Sequence, residues 1–161
     1  GNYKLNPRDF YIYDLVYEIV KRYSNILKQK KITVSIDTFA YDVSVYADRL
    51  RIEQVIYNIF TNAVKHTEGN GKIIINIKDS ISEVIVEIEN EGEHIPEDEL
   101  DKIWDRFYKV DKSRNRNQGG TGLGLAIAKN ILTLQKSKFG VLNTEIGVLF
   151  YFSLQKSKKL L

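Results

Sequence analysis

Two asparagines and a lysine repeat along one side of a predicted helix. Asn58, Asn62 and Lys65 stand at i, i+4 and i+7, with Arg51 and Gln54 close beside them. Asparagine is a mediocre helix former, so two of them one turn apart invite a functional explanation. An amide oxygen can bind a hard cation such as magnesium, and a lysine can bind phosphate. A solvated helix face explains the same spacing equally well, and spacing alone does not decide between the two.

A second candidate site is a glycine cluster, Gly119-Gly120-Thr121-Gly122-Leu123-Gly124, directly before another predicted helix. Glycines let the backbone approach a ligand closely, and the unpaired N–H groups at a helix N-terminus attract anions. The pattern is neither a lysine-bearing phosphate loop nor a clean dinucleotide fingerprint, because no strand precedes it and no Lys-Ser/Thr follows. Phosphate binding and a flexible hinge are both compatible with it.

A third candidate lies where a predicted strand ends in the turn Glu89-Asn90-Glu91-Gly92-Glu93-His94-Ile95-Pro96. A polar side chain at a strand end beside a glycine, such as Asn90 beside Gly92, can contact the edge of a nucleotide base. The alternative interpretation is a simple connecting turn.

The composition is typical of one soluble globular domain. The 161 residues include 24 Lys+Arg and 21 Asp+Glu, which leaves a net charge of +3. The absence of cysteine excludes disulfides, thiolate metal sites and a cysteine nucleophile. The two histidines, His66 and His94, are too far apart in sequence for a zinc motif. The lysines near residue 30 lack interleaved aromatic residues, so the sequence predicts no nucleic-acid binding, and no apolar run is long enough to span a membrane.

Helical periodicity predicts the elements that position these residues. We expect one amphipathic helix over Tyr13 to Lys30 and a second from Asp48 to just before Gly69. Pro96 and the following acids predict a short helix to about Trp104, and another helix follows Gly124. The polar, basic stretch 111–118 is typical of a mobile loop.

Alternating apolar and polar residues predict six strands, over 32–36, 43–46, 72–78, 83–89, 140–143 and 148–152. The third and fourth are expected to form a hairpin. Because several strands are joined by tight turns, we predict a two-layer α/β sandwich in which one mixed, mostly antiparallel sheet packs on a layer of helices. Residues 1–161 are expected to form one domain.

The order of the motifs resembles the catalytic ATP-binding domain of sensor histidine kinases, which belongs to the GHKL superfamily and has the Bergerat fold. The resemblance extends over essentially the whole chain and rests on four boxes. They read Asn58-x-x-x-Asn62-Ala63-x-Lys65, Asn90-x-Gly92-x-x-Ile95-Pro96, Trp104-Asp105-x-Phe107-Tyr108 and Gly120-Thr121-Gly122-Leu123-Gly124-Leu125.

The resemblance implies a site for ATP and Mg²⁺. Asn62 would be the magnesium ligand, Asn58 would support the metal and phosphates, and Lys65 would approach the phosphates. Asn90 stands where the family usually has an aspartate that accepts from the adenine amino group. Phe107 would anchor a lid formed by 109–118. The other nucleotide-binding positions implied are His66, Gly92, Ile95, Tyr108, Lys109, Gly120, Thr121, Gly122, Leu123, Gly124 and Leu125.

Two positions depart from the family pattern. Asn90 replaces an aspartate, which removes a negative charge and adds an NH₂ group that needs its own acceptor. His94 replaces the second glycine of its box, which makes the rim of the expected pocket bulkier. Both changes bear on nucleotide affinity more than on the fold.

The reaction implied is transfer of the γ-phosphoryl group to a histidine, with onward transfer to a response regulator. Neither His66 nor His94 lies in a helical acceptor motif, so the acceptor is expected on a helical dimerisation domain N-terminal to Gly1. Hydrolytic members of the superfamily carry a glutamate at the place of Asn58, and an amide cannot accept a proton near neutral pH, so rapid ATP hydrolysis is not expected. The fragment is expected to be cytoplasmic without membrane contact of its own, although such parents are commonly membrane-bound.

Three alternatives remain at this point. A serine kinase of the same superfamily shares the boxes, although the Trp104 to Tyr108 segment and the long basic lid favour the histidine kinase type. A nucleotide-gated binding module without catalysis fits the departures at Asn90 and His94. An interaction domain that binds no nucleotide is the third.

Overall fold

The computed structural model describes residues 4–108 and 122–158. The helices are α1 (Ile12–Arg22), α2 (Ser24–Lys30), α3 (Arg49–His66) and α4 (Gly124–Leu134), and Glu97–Glu99 forms one 3₁₀ turn. The strands are β1 (Arg8–Tyr11), β2 (Thr33–Asp37), β3 (Ser44–Ala47), β4 (Lys72–Asp79), β5 (Glu83–Glu91), β6 (Phe139–Asn143) and β7 (Gly147–Gln155).

Five strands form the main sheet in the order β2-β4-β5-β7-β6. β2 and β4 run parallel, and every other neighbouring pair is antiparallel, so the predicted mixed, mostly antiparallel sheet is confirmed. The β4–β5 hairpin is also confirmed. Alternate residues of β5, including Val84, Val86 and Ile88, are buried on one face, which α3 covers, and α1 and α4 flank α3. The predicted two-layer sandwich is therefore present.

The prediction of one sheet was wrong in one respect. The strand expected near 43–46 pairs antiparallel with β1 in a separate two-stranded sheet, and an isolated bridge joins Val45 of this sheet to Lys156, the residue after β7. β1 itself was not predicted because Phe10 is the one buried residue among its four, which leaves no alternation to detect.

The single helix predicted over Tyr13 to Lys30 was wrong, because Tyr23 separates α1 from α2. Tyr23 adopts φ −94° and ψ 4°, and its ring lies edge-on to Phe60 and Tyr57 with centroid separations of 5.7 and 5.9 Å. The apolar periodicity continues through Tyr23, so the break follows from packing against α3 and has no sequence signal of its own.

The short helix predicted from Pro96 to about Trp104 was also wrong. After the 3₁₀ turn the chain continues as turns to Phe107. This course buries the Trp104 ring between Phe139 and Phe150, at centroid separations of 5.2 and 5.4 Å. Tertiary packing of one large side chain therefore prevails over the helix-start signal at Pro96.

Candidate functional site

Helix α3 presents an apolar face to the sheet. On another side it carries a polar stripe, formed by Asn58, Asn62 and Lys65. Asp48 caps the N-terminus by accepting a hydrogen bond from the Arg51 backbone N–H at 3.2 Å. The apolar face is buried and comprises Ile52, Val55, Ile56, Ile59, Phe60, Ala63 and Val64. Asn58, Asn62 and Lys65 are only half-buried. The predicted stripe therefore exists as a surface along the C-terminal half of the helix.

The stripe meets α4 at Asn58. The Asn58 Nδ2 donates a hydrogen bond of 2.9 Å to the backbone carbonyl of Gly124, the first residue of α4. Because the amide nitrogen is used in this way, the Asn58 Oδ1 keeps its lone pairs for another partner. The α4 N-terminus, where backbone N–H groups lack partners within the helix, therefore lies directly beside the stripe.

The opposite end of the stripe meets the turn after β5. A Cβ atom on Gly92 would lie 2.8 Å from the His66 carbonyl oxygen, so only glycine fits where this turn crosses the end of α3. The Lys30 Nζ donates to the Val64 carbonyl at 3.2 Å and ties the end of α2 to the same place. His66 is exposed in part, but its pKa is lowered below the ordinary value. The main cause is desolvation by the surrounding protein, which disfavours the charged imidazolium, and the positive charges of Lys65 and Lys30 add to it.

Asn90 is a buried polar residue near the end of β5, just before this turn, with 3% of its surface exposed. Its partners across the sheet are Ile73 on β4 and Val148 on β7, which are both buried and apolar. Within the described parts of the chain, no hydrogen bond reaches the Asn90 side-chain amide. Among the described residues, the side-chain atoms that are both enclosed and without a partner are Tyr108 Oη and Gln135 Nε2, so the unpartnered Asn90 amide is not sealed off and is open to a ligand.

The loop after Asn90 is held by the β6–β7 hairpin, whose strands were predicted but whose contact with this loop was not. The Asn143 side chain accepts from the Ile95 N–H at 2.9 Å and donates to the Ile95 carbonyl at 2.7 Å. The His94 Nε2 lies 2.6 Å from the Thr144 carbonyl oxygen, and the Gly92 N–H donates to the Ile146 carbonyl at 3.2 Å. His94 thus fastens the loop to the β6–β7 turn. Ile95 is buried, and it is the backbone of this residue that the hairpin holds.

The aromatic and glycine motifs meet on the other side of α4. The Phe107 N–H donates to the Gly122 carbonyl at 2.8 Å, and Phe107 has a φ of 62° with two thirds of its surface exposed. Gly122 has a φ of +72°, and a Cβ there would lie 2.7 Å from the Phe107 Cα.

Burial and the nearby Glu99 and Asp98 raise the pKa of Tyr108 above its ordinary value. Leu123 and Leu125 are half-buried beside the start of α4.

Some predicted positions lie outside the described residues: Lys109, Gly120 and Thr121, together with the rest of the expected lid over 109–118. Among the residues that are described, no three His, Cys, Asp or Glu side chains form a metal-binding cluster. No helix in the described ranges is long and apolar enough to cross a membrane.

Comparison with known proteins identifies the family to which this fold belongs. Residues 47–158 match the model of the histidine kinase-, DNA gyrase B-, and HSP90-like ATPase family. The sensor histidine kinase WalK of Bacillus subtilis (strain 168) is 42% identical over 93 residues, which cover 56% of this chain and 15% of that protein. The sensor protein kinase WalK of Staphylococcus aureus is 35% identical over 116 residues, covering 68% and 28%. The chain thus spans less than a third of these relatives.

Solved structures give the same result over nearly the full chain. The catalytic domain of histidine kinase ThkA, in a nucleotide-free form, superposes with a TM-score of 0.85 at 33% identity, covering 94% of this chain and 96% of that one. ThkA in complex with the response regulator protein TrrA gives a TM-score of 0.81 at 31% identity, covering 95% and 42%.

The chain belongs to the family of histidine kinase-, DNA gyrase B-, and HSP90-like ATPases. Within that family it is an ATP-binding domain of the sensor histidine kinase class, as the motif order predicted. The family assignment concerns the fold and the class of domain.

Proposed function

We propose that this domain binds Mg²⁺-ATP and presents its γ-phosphoryl group for transfer to a histidine on a separate helical dimerisation domain. One observation carries the proposal: three motifs that are far apart in sequence form one continuous surface. The polar stripe of α3 is bounded by Gly124 at one end and by Gly92 at the other. From Asn58 to His66 the helix rises by about 12 Å, enough to accommodate a base at one end and phosphates at the other.

We assign the base to the end of the site near Asn90. Asn90 is a buried residue whose amide has no hydrogen-bonding partner among the described residues, and it lies between apolar neighbours. Planar aromatic bases suit such a place, since apolar side chains contact their faces and one polar group meets their edge. His66, Gly92 and Ile95 would form the surroundings of the base and sugar.

We assign the phosphates to the end of the site near Asn58 and the start of α4. Free N–H groups at the helix N-terminus and the Lys65 ammonium both favour anions. The residues present fit Mg²⁺, because Mg²⁺ prefers oxygen ligands and completes its shell with phosphate oxygens and water. The Asn58 Oδ1 is available because its Nδ2 is bonded to Gly124, and Asn62, one turn further along, would be the principal ligand. Bound Mg²⁺ would neutralise charge on the phosphates.

The protein's contribution to transfer is then positioning and charge stabilisation. Lys65 and the α4 N-terminus would stabilise negative charge on the transferring group, as phosphoryl transfer requires. No described residue at the phosphate end is a general base for water, since Asn58 and Asn62 carry amides. This chemistry favours transfer to a supplied nucleophile over hydrolysis.

The partners follow from the class of protein. The complex of ThkA with a response regulator supports an aspartate-bearing regulator as the final acceptor for the parent of this chain. The phosphorylated histidine would belong to a dimerisation domain outside residues 1–161, which would themselves form one ATP-binding domain. We further propose a cytoplasmic location for this domain.

A calorimetric titration tests the proposal. ADP and a non-hydrolysable ATP analogue are titrated into the wild type and Asn62→Ala, each with and without Mg²⁺. We expect Mg²⁺ to tighten binding to the wild type and to have a much smaller effect on Asn62→Ala. Gln54→Ala, one turn before Asn58 on the same helix, is the matched control and should respond to Mg²⁺ as the wild type does. Failure of the folded wild type to bind either nucleotide would refute the proposal.

A further inference from the structure

The base end of the proposed site contains an amide whose orientation nothing nearby fixes. Asn90 is 97% removed from solvent, yet no described residue donates to its Oδ1 or accepts from its Nδ2. Its cross-strand neighbours Ile73 and Val148 have no hydrogen-bonding side-chain groups. The amide can therefore rotate by 180° about its terminal bond without breaking a hydrogen bond to the protein.

This freedom matters because purine bases differ in polarity along one edge. A 6-aminopurine such as adenine offers a donor at position 6 and an acceptor at N1. A 6-oxopurine such as hypoxanthine or guanine offers an acceptor at position 6 and a donor at N1. An amide carries one acceptor beside one donor, so the two orientations of Asn90 match the two kinds of edge. An ionised carboxylate accepts only and matches the 6-amino edge alone.

We infer that Asn90 lets this domain bind 6-oxopurine nucleotides as well as adenine nucleotides. The inference rests on the proposed nucleotide site and concerns its choice of base. A buried site rejects a wrong base strongly when its polar groups are held in one orientation, because a mismatch leaves them unpaired. Asn90 is not held in this way. When its amide rotates by 180°, the donor and the acceptor exchange places and both can pair with the edge of a 6-oxopurine.

Asn90 lies near the end of β5, and the loop that follows it is held in place, so the amide can rotate without movement of the backbone. The backbone of the following loop is fixed by the two hydrogen bonds between Asn143 and Ile95 and by the bond from Gly92 to Ile146. Gly92 keeps this side of the amide free of a side chain, because a Cβ at that position would crowd the Asn90 Nδ2 at 3.2 Å. The choice between purine bases therefore depends on the orientation of the Asn90 side-chain amide, while the backbone around it stays fixed.

The deciding experiment compares ADP with IDP, which differ only at position 6 and in the N1 proton. Both are titrated calorimetrically into the wild type and Asn90→Asp at pH 8, where a carboxylate is ionised, with Mg²⁺ present. We expect the wild type to bind the two nucleotides within about tenfold of each other. In Asn90→Asp the preference for ADP over IDP should grow by about tenfold or more, because the carboxylate cannot donate.

A third variant keeps the test independent of effects on folding. Asn90→Leu replaces the amide by an apolar side chain of similar volume. Circular dichroism should show that this variant stays folded, and its affinity for ADP and for IDP should fall to a similar extent. Wild-type preference for ADP of a hundredfold or more would overturn the inference and leave the proposed nucleotide site intact. Equal retention of both affinities in Asn90→Leu would overturn it as well, since the amide would then not contact the base. Absence of any ADP binding to the folded wild type would remove the proposed function itself.

Discussion

Single side-chain amides join parts of this domain that are far apart in the chain. Asn58 joins α3 to α4 across 66 residues, and Asn143 joins β6 to the loop at Ile95 across 48. In each case a short side chain hydrogen-bonds to the backbone, so the geometry of the site depends on these amides as well as on the apolar core. Changes of single residues should therefore separate loop positioning from overall folding.

Removal of the Asn143 amide should loosen the loop after Asn90. Asn143→Ala leaves the Ile95 N–H and carbonyl without their partners, which should lower the free energy of unfolding by about 1–3 kcal/mol. Nucleotide affinity should fall as well, because the loop would have to be ordered on binding. Urea unfolding and calorimetry measure the two effects.

The control for this change is Asn25→Ala, at an exposed position of α2. It should alter the free energy of unfolding by no more than about 0.5 kcal/mol. Equal effects of the two substitutions would show that the hairpin does not hold the loop.

His66 should give the fold a dependence on pH in the mildly acidic range. Its pKa is lower in the folded protein than in the unfolded chain, so the unfolded chain binds more protons between the two values. Stability should therefore be complete above the unfolded pKa of about 6.5 and should decrease as the pH falls through the folded pKa. Denaturation of wild type and His66→Gln at pH 7.5 and 5.0 tests this. The wild type should lose more stability than the variant, and parallel losses would contradict the assignment.

At the scale of single residues, the sequence predicted candidate site residues where a residue type is unusual for the local structure around it. Asn58 and Asn62 are poor helix formers inside a helix, and Asn90 is a polar residue at a strand end beside a glycine, so each was noticed. Asn143 escaped notice because asparagine is ordinary beside a turn, and its role depends on Ile95, which only the tertiary fold brings near.

At the scale of elements, the start of α4 is fixed by contacts on two sides. Asn58 binds Gly124 from α3, and Phe107 binds Gly122 from the preceding turns. The two glycines differ in what they require. Gly122 has a positive φ and is crowded by the Phe107 backbone, whereas a Cβ on Gly124 would make an ordinary contact 3.7 Å from the Asn58 Cβ.

This difference predicts opposite results for two similar substitutions. Gly122→Ala should lower the free energy of unfolding by about 1–2 kcal/mol or more, because of its φ and the 2.7 Å approach to Phe107. Gly124→Ala should leave stability unchanged or raise it by up to about 1 kcal/mol, since alanine favours the helix. Thermal denaturation of the two variants decides the matter, and equal destabilisation would disprove this account.

The same pair tests how closely a ligand approaches α4. If phosphates contact the Gly124 backbone, Gly124→Ala should weaken ATP binding without lowering the melting temperature. Calorimetry on this stable variant therefore isolates the ligand contact from the fold. Unchanged affinity would place the phosphates away from this glycine.

Element boundaries were harder to predict than element types. Strands β4 and β5 were predicted well because their alternation is regular and both are long. The break at Tyr23 and the loss of helix before Trp104 both come from aromatic packing between elements. Such contacts join residues far apart in sequence, so no local pattern announces them.

At the scale of the whole molecule, the chain is expected to act as one part of a larger enzyme. Incubated with labelled ATP and Mg²⁺, it should remain unphosphorylated, because neither His66 nor His94 lies in an acceptor helix. Addition of a histidine-bearing dimerisation domain should yield phosphohistidine on that domain. Release of phosphate from ATP should be slow, since the site offers amides where a base would be needed.

Asn62→Ala is the control for the transfer assay and should abolish labelling of the added domain. Rapid steady-state hydrolysis by the wild type, lost in Asn62→Ala, would contradict the proposed division between transfer and hydrolysis. Tight ATP binding without any transfer to the added domain would instead favour a nucleotide-gated binding module.

The position of β7 in the main sheet has a consequence for synthesis of the protein. β7 is the last described strand in the chain, yet it lies between β5 and β6 and pairs with β5 along nine residues. On the ribosome, β2, β4 and β5 therefore emerge long before the strand that completes their sheet. Until then one edge of β5 is unpaired, and its apolar side chains, which are buried in the folded protein, are exposed. Exposed strand edges of this kind promote aggregation and chaperone binding. A nascent chain arrested before Gly147 should accordingly be sensitive to protease, and one with a C-terminal extension long enough to carry β7 out of the ribosomal tunnel should resist it.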